Sequence, residues 1–167
     1  LKKIQLLNEP SFATELNAGR HFGFHTRLDW ISETNGYLQT ADGKSQYPVS
    51  SSKTDKFNVK VYVHKGICWI SEKNIVRNFE DVKRYKVIIP RSGNPGSTIV
   101  GKPLICEPNA CSSNSFIVAV IKNQDNPRII AENMLTYIRS KFLRFLVSLK
   151  TVTQDMPPKA YTLVPLQ

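Results

Sequence analysis

The apolar run SFIVAVI, residues 115–121, is the feature that most constrains how this chain can fold. A strand with one face in water alternates apolar and polar residues, whereas an unbroken apolar run predicts burial on both faces. A chain of 167 residues can bury a core of that kind within one domain. The run therefore predicts the central strand of a sheet.

The segment after this strand has the pattern of a long helix, with Asn126 as N-cap and Pro127 as first residue. Continued to about residue 150, the helix would be roughly 36 Å long at ~1.5 Å per residue. Its second half, KFLRFLVSL at 141–149, is apolar nearly all round, which predicts a buried core helix. The apolar stripe on a helical wheel consists of Ala131, Leu135, Ile138, Phe142, Phe145, Leu146 and Leu149.

Shorter strand patterns and one polar stretch complete the expected architecture. The strand patterns are VKVYV at 59–63, ICWI at 67–70, YKVIIP at 85–90, IVGKPLICEP at 99–108 and AYTLVPL at 160–166. Residues 32–58 are rich in Ser, Thr, Asn, Asp and Gly, and predict a polar loop or insertion. We therefore expect one α+β domain over residues 1–167, with a mixed, largely antiparallel sheet packed on one long amphipathic helix near the C-terminus.

The basic charge is concentrated in two windows. Residues 53–91 hold ten Lys and Arg against four acids, residues 128–159 hold six against two, and the remainder of the chain is balanced. The whole formal net charge of +10 therefore comes from these windows. A localised basic excess is typical of proteins that bind polyanions such as nucleic acids.

The loops inside and beside the first window hold side chains suited to DNA. Lys and Ser donate to phosphates, while Arg and Asn can pair with guanine and adenine edges. We expect Lys65 to contact phosphate and Arg91 to read a base. The predicted DNA-binding residues are Arg27, Lys65, Arg91, Ser92, Asn94 and Lys102.

Motifs for catalysis, cofactors and metals are missing from the sequence. It contains neither a nucleophile elbow nor a phosphate-binding loop, and its acids are scattered singly. The cysteines, Cys68, Cys106 and Cys111, are odd in number and lack metal-ligand spacing, which favours a reducing compartment. No window approaches the ~18 apolar residues of a membrane span. We expect no catalytic, cofactor or metal site and no membrane contact.

Several segments together resemble a known family. In order, they are FGFHT at 22–26, VKVYVHKGICWI at 59–70, RYKVIIPRSG at 84–93, GKPLICEPNACS at 101–112, YIRSKFLRFLVSLKTVTQ at 137–154 and YTLVPLQ at 161–167. The series resembles the C-terminal target-recognition part of Eco57I-like type II restriction-modification adenine-specific DNA methyltransferases. The resemblance covers about residues 22–31 and 59–167.

The resemblance implies a sequence-specific duplex DNA recognition domain, cut from a longer bacterial cytoplasmic chain. The methyl-transfer chemistry and the S-adenosylmethionine that it uses would then belong to an upstream methyltransferase domain of the same chain. The family's Asn-Pro-Pro-aromatic motif does not occur here. Whether the parent chain is also an endonuclease stays open.

Two alternatives stay open from the residues themselves. The first is an RNA-binding accessory domain, since single-stranded RNA is recognised by paired aromatic side chains on adjacent strands, and Tyr62 and Trp69 could form such a pair. The second is a small enzyme whose active site assembles from distant residues. A converging His, Cys and Asp cluster in the structure would favour the enzyme.

Overall fold

The computed structural model describes residues 16–17, 21–24, 37–39, 45–63, 66–75, 77–91, 101–148 and 158. Within these residues it contains eight strands and three α-helices, together with a 3₁₀ turn at Glu72–Asn74. The strands are β1 (Tyr37–Gln39), β2 (Gln46–Ser50), β3 (Val59–Val63), β4 (Gly66–Ile70), β5 (Lys86–Pro90), β6 (Leu104–Cys106), β7 (Ala110–Ser112) and β8 (Phe116–Val120). The helices are α1 (Phe79–Val82), α2 (Pro127–Ile138) and α3 (Lys141–Ser148).

The strands form two sheets. A five-stranded sheet has the order β1-β2-β4-β3-β7 and is antiparallel except for the parallel pair β3 and β7. A three-stranded antiparallel sheet has the order β6-β5-β8. The α+β class with mixed and antiparallel pairing is thus confirmed.

Strand β8 is buried along its whole length, as its apolar run predicts. Ile117 and Ala119 pack in one core cluster with the buried residues of α2 and α3. Phe116 and Val118 pack in a second cluster with the valines of β3. The three-stranded sheet is therefore a middle layer, between the helices on one side and the five-stranded sheet on the other.

The predicted polar loop differs from the structure. Residues 32–58 contain β1 and β2, which pair with each other, and β2 continues the pairing onto β4 through Val49 and Ile70. Every side chain of β2 is at least partly exposed, in an irregular pattern. Strand β2 is paired on both sides and is held by main-chain hydrogen bonds, so its polar composition does not prevent its formation.

The FGF segment is part of the core. Phe22 and Phe24 are fully buried in the cluster that contains the β3 valines. Gly23 lies between them with φ 82°, a conformation that is strained for other residues. His21, just before them, contacts Asp81 of α1 through Nε2 at 2.7 Å, and Asn78 Nδ2 donates to its carbonyl at 2.6 Å.

Two helices replace the single long helix that the sequence predicts. Helix α2 ends at Ile138, and Ser140 then caps α3, because its Oγ accepts a hydrogen bond from Leu143 N at 3.2 Å. The same hydroxyl donates to the carbonyl of Tyr137 at 2.7 Å. Ser140 thus serves both helices at once, and the apolar register restarts at this point.

The restart reverses the predicted environment of two aromatic residues. Leu143, Leu146 and Val147 are buried, whereas Phe142 is 50% exposed and Phe145 is 60% exposed. A helical wheel continued through residue 140 therefore predicted the wrong buried face for this segment, because the break between the helices rotates α3 about its axis relative to α2. KFLRFLVSL is still a core helix, but it packs through a different face and leaves two phenylalanines in solvent.

A fully buried lysine closes the short helix α1. Lys86 Nζ donates to the carbonyls of Asp81, Val82 and Arg84 at 2.9, 3.2 and 2.6 Å. The ammonium therefore satisfies carbonyls that a helix C-terminus leaves unpaired. Burial lowers the pKa of Lys86 from its ordinary value, while the nearby thiols of Cys106 and Cys111 and the Asp81 carboxylate act in the opposite direction.

The part of the chain described by the structure has no helix that is both long and apolar enough for a bilayer crossing. The predicted strand at 160–166 lies outside the described residues.

Candidate nucleic-acid interface

The outer side of the five-stranded sheet carries aromatic and basic side chains. In β3 the valines Val59, Val61 and Val63 point to the core, so Lys60 and Tyr62 share the opposite side. Trp69 of β4 is directly opposite Lys60 in the antiparallel register. We call Lys53, Lys60, Tyr62 and Trp69 the aromatic–basic face.

Two ammonium groups lie over the rings of this face. Lys60 Nζ is 5.6 Å from the centroid of the Trp69 ring and 5.5 Å from that of Tyr62. Lys53 Nζ is 5.9 Å from the Trp69 centroid. An exposed cation–π contact of this kind contributes about 0.5–1 kcal/mol.

Lys53 reaches the sheet from the connection between β2 and β3. A turn closes this connection, with Thr54 N donating to the carbonyl of Phe57 at 3.0 Å and Phe57 N donating to Thr54 Oγ1 at 3.0 Å. Lys53, directly before the turn, and Lys56, within it, are exposed. The local structure therefore presents positive charge at the margin of the aromatic–basic face.

The protonation state of Tyr62 depends on the position of its ring between the core and solvent. Tyr62 also packs against the core, and burial raises the pKa of its phenol, with smaller contributions from Cys106 and the Glu107 carboxylate. The phenol is therefore neutral at physiological pH and can donate a hydrogen bond to an anion. Neutral rings beside cations suit a ligand that carries both bases and phosphates.

A second surface forms at the turn that joins β7 and β8, residues 113–115. Three parts of the chain meet at this β7–β8 turn. Ser113 N donates to the carbonyl of Tyr62 at 2.9 Å, and Asn114 N donates to that of Phe24 at 3.0 Å. Arg91 N donates to the carbonyl of Ser115 at 2.8 Å.

Polar atoms with unused hydrogen-bonding capacity collect at the same turn. Among the described residues, the buried side-chain oxygens without a hydrogen-bond partner are Ser112 Oγ, Ser113 Oγ and Asn114 Oδ1. Ser112 is paired with Tyr62 in the parallel register, which places this group beside the aromatic–basic face.

Only two of the six predicted DNA-binding residues lie within the described part of the chain. Arg91 lies at the β7–β8 turn and Lys102 is exposed before β6. Arg27, Lys65, Ser92 and Asn94 lie outside the described residues. A side chain on Gly101 would approach Pro90 Cβ to 2.8 Å, so the chain segments of Arg91 and Lys102 come close together.

Arg91 has a structural contact as well as a predicted role. Its Nη1 approaches the carbonyl of Asn114 at 3.5 Å, and its side chain is partly buried. The guanidinium therefore lies along the β7–β8 turn. Base recognition by Arg91 stays a prediction.

The sequence indicated Tyr62 and Trp69 as a pair of rings, but Lys53 and Lys60 were missed. The alternation of VKVYV contained the signal for Lys60, since it places Lys60 and Tyr62 together on the side opposite the valines. The pairing of Lys60 with Trp69 depends on the hairpin register and needed the structure. The approach of Lys53 depends on the β2–β3 connection, which the sequence did not show to be ordered.

A scan against protein-family models finds no match for this chain, and neither do searches of curated proteins and of solved structures. Its function is therefore inferred from the chain's own residues and from the sequence resemblance.

One His–Asp pair lies within the described residues. No group of three or more His, Cys, Asp and Glu side chains there could hold a metal ion. His21 and Asp81 form a close pair, but Arg84 and Asn78 also contact this network, which ties residues 21–24 to α1. These contacts account for the pair as a structural clamp.

The three cysteines are buried and free. Burial raises the pKa of Cys68 to about 12 and that of Cys106 to about 11, and it raises the pKa of Cys111 well above its ordinary value. Because the thiolate is the reactive form, these side chains are poor nucleophiles at neutral pH.

We therefore expect all three thiols to resist a thiol-specific reagent in the native protein at pH 8 and to react promptly in urea. The unfolded chain ionises its thiols near pH 8.5 and the folded chain does not, so stability falls as pH rises above that value. The slope is about 1.4 kcal/mol per pH unit for each thiol. Denaturant titrations from pH 8 to 10 measure this slope, and Cys68→Ala should reduce it. Fast labelling of the native protein at pH 8 would contradict the prediction.

Proposed function

We propose that this domain binds duplex DNA and selects its sequence, as the target-recognition part of a site-specific adenine methyltransferase of a restriction-modification system. The observation that carries the proposal is the aromatic–basic face, where the ammonium groups of Lys53 and Lys60 lie over Trp69. This face belongs to the more basic of the two charge windows. Phosphate contacts by such lysines supply affinity that does not depend on sequence.

The β7–β8 turn is the proposed place of sequence reading. Arg91, which the sequence predicts to read a base, lies at this turn, where its main-chain N donates to the carbonyl of Ser115. Loops supported by a rigid sheet are common positions for specificity residues. On the resemblance, an upstream domain of the same chain would bind S-adenosylmethionine and transfer the methyl group, while this domain selects the site.

The first test measures binding of a labelled random-sequence duplex by fluorescence anisotropy at several salt concentrations. The double variant Lys53→Ala/Lys60→Ala is expected to reduce the salt slope of log K by about 1.8, at about 0.9 for each phosphate that is no longer neutralised. Arg139→Ala/Lys141→Ala is the matched control, because it removes two exposed charges from the helical layer. Equal reductions in both variants would show that binding follows total charge and not this face.

The second test addresses sequence selection. The chain is incubated with a pool of random duplexes, and the bound molecules are sequenced over several rounds. Enrichment of one short motif supports a recognition domain. Tight binding without any enrichment would reject the recognition role while leaving a general DNA-binding role.

Single-stranded RNA is the second candidate ligand, and one specific observation favours it. Tyr62 and Trp69 are partly exposed on adjacent central strands of one sheet, an arrangement suited to stacking unpaired bases. Competition of the labelled duplex with a ribo-oligonucleotide of equal length separates the two candidates. Complete displacement by RNA at much lower concentration than by unlabelled duplex would favour RNA.

A further inference from the structure

The aromatic–basic face has a shape that restricts which part of a DNA molecule it can take. Tyr62 and Trp69 stand on β3 and β4, which have β7 and β2 as outer neighbours. Five strands at about 4.8 Å spacing span roughly 19 Å, whereas the major groove is about 12 Å wide and admits a two-stranded ribbon. The flanking strands would therefore meet the phosphate ridges before either ring reached a base edge.

From this geometry we infer that the aromatic–basic face binds an unpaired nucleotide of the DNA target, with a base stacked on Trp69 and the adjacent phosphates on Lys53 and Lys60. This inference rests on the proposed function and adds the ligand class: a strand end, bulge or locally opened site, not an intact base pair. Base pairs would remain available to residues at the β7–β8 turn.

The balance of contacts supports stacking on Trp69. An exposed cation–π contact changes affinity by a factor of about 2–5. A base stacked on an aromatic side chain contributes a factor of about 5–150. When a phosphate binds, the ammonium groups of Lys53 and Lys60 can move from the Trp69 ring to the phosphate oxygens. Each lysine then replaces a weak cation–π contact with a charge-assisted hydrogen bond, and the face of the Trp69 ring becomes free to stack on the base.

The hairpin register places a further exposed side chain beside the rings. Ile67, opposite Tyr62 in the hairpin register, is 47% exposed on the same side of the sheet. This side chain extends the apolar floor beside the rings. The phenol of Tyr62, which is partly exposed, lies beside this floor.

The test compares three labelled ligands of equal length: a 15-nucleotide deoxythymidine strand, the corresponding uridine strand, and an intact duplex. For Trp69→Ala we expect about 5–150-fold weaker binding of the deoxythymidine strand and less than twofold change for the duplex. Trp69→Phe retains a ring and should recover most of the affinity. Phe142→Ala, an exposed aromatic residue in the helical layer, is the matched control and should change neither affinity.

The outcomes separate this inference from the proposed function. Equal weakening of single strand and duplex by Trp69→Ala, or no weakening of the single strand, would overturn the inference, while the proposed duplex-binding function would still stand. Failure of the unmodified chain to bind any of the three ligands would overturn both. A strong preference for uridine over deoxythymidine, abolished by Trp69→Ala, would retain stacking but assign the face to RNA, and so would overturn the DNA ligand inferred here.

Discussion

Leu143→Ala is expected to destabilise the domain by about 2–5 kcal/mol, whereas Phe142→Ala, one residue earlier, should cost only about 1 kcal/mol or less. Leu143 is fully buried among the residues that join α3 to the three-stranded sheet. Its truncation removes apolar packing and leaves a cavity. Phe142 is 50% exposed, so its truncation removes only about half of the buried surface that a core phenylalanine would lose.

The comparison between these neighbours tests the helix break at Ser140. Urea denaturation followed by far-ultraviolet circular dichroism gives both free energies of unfolding. Ser140→Ala adds a third measurement, because removal of the α3 cap should cost about 1 kcal/mol. A large destabilisation by Phe142→Ala together with a small one by Leu143→Ala would mean that α2 and α3 form one continuous helix, with Phe142 and not Leu143 facing the core.

Lys86→Ala is expected to cost about 3–5 kcal/mol, because it removes a donor from three carbonyls and leaves space where three methylene groups and the ammonium were packed. Two of the carbonyls keep another donor: Asp81 O accepts from Arg84 N at 3.2 Å and Val82 O accepts from Asn109 N at 2.8 Å. Among the described residues, the carbonyl of Arg84 receives a hydrogen bond from Lys86 alone. The unpaired carbonyl of Arg84 is therefore the main polar penalty.

Lys86→Met separates the charge from the packing. Methionine fills a similar volume without a donor, so we expect a smaller destabilisation of about 1–3 kcal/mol. Lys83→Ala is the control, since Lys83 is exposed and paired with Glu72 at 2.9 Å, and such pairs contribute about 0–1 kcal/mol. If the methionine variant proved more stable than the unmodified protein, the buried ammonium would be a net cost and not a clamp on α1.

Particular elements show how far the sequence alone determines this protein. The unbroken run in β8 predicted burial on both faces, and both core clusters do meet there. The strand patterns VKVYV and ICWI predicted β3 and β4, and Asn126 with Pro127 predicted the start of α2. These features were predictable because each depends on residues that are close together in the chain.

Only part of the candidate site could be predicted from the sequence. The basic window and the ring pair were visible in the sequence, but the meeting of Lys60 with Trp69 depends on strand register, and that of Lys53 with Trp69 depends on a loop. The parallel pairing of β3 with β7 and the convergence at the β7–β8 turn join residues far apart in the chain. No local pattern encodes such pairings.

The sequence by itself therefore determined the class of fold, the core strand and the location of the basic charge, since composition and periodicity act over neighbouring residues. The tertiary structure decided which side of α3 is buried, because one hydroxyl group at Ser140 resets the helical phase. It also decided which lysines lie over the rings of the aromatic–basic face, because packing between layers fixes distances that no period in the sequence can specify.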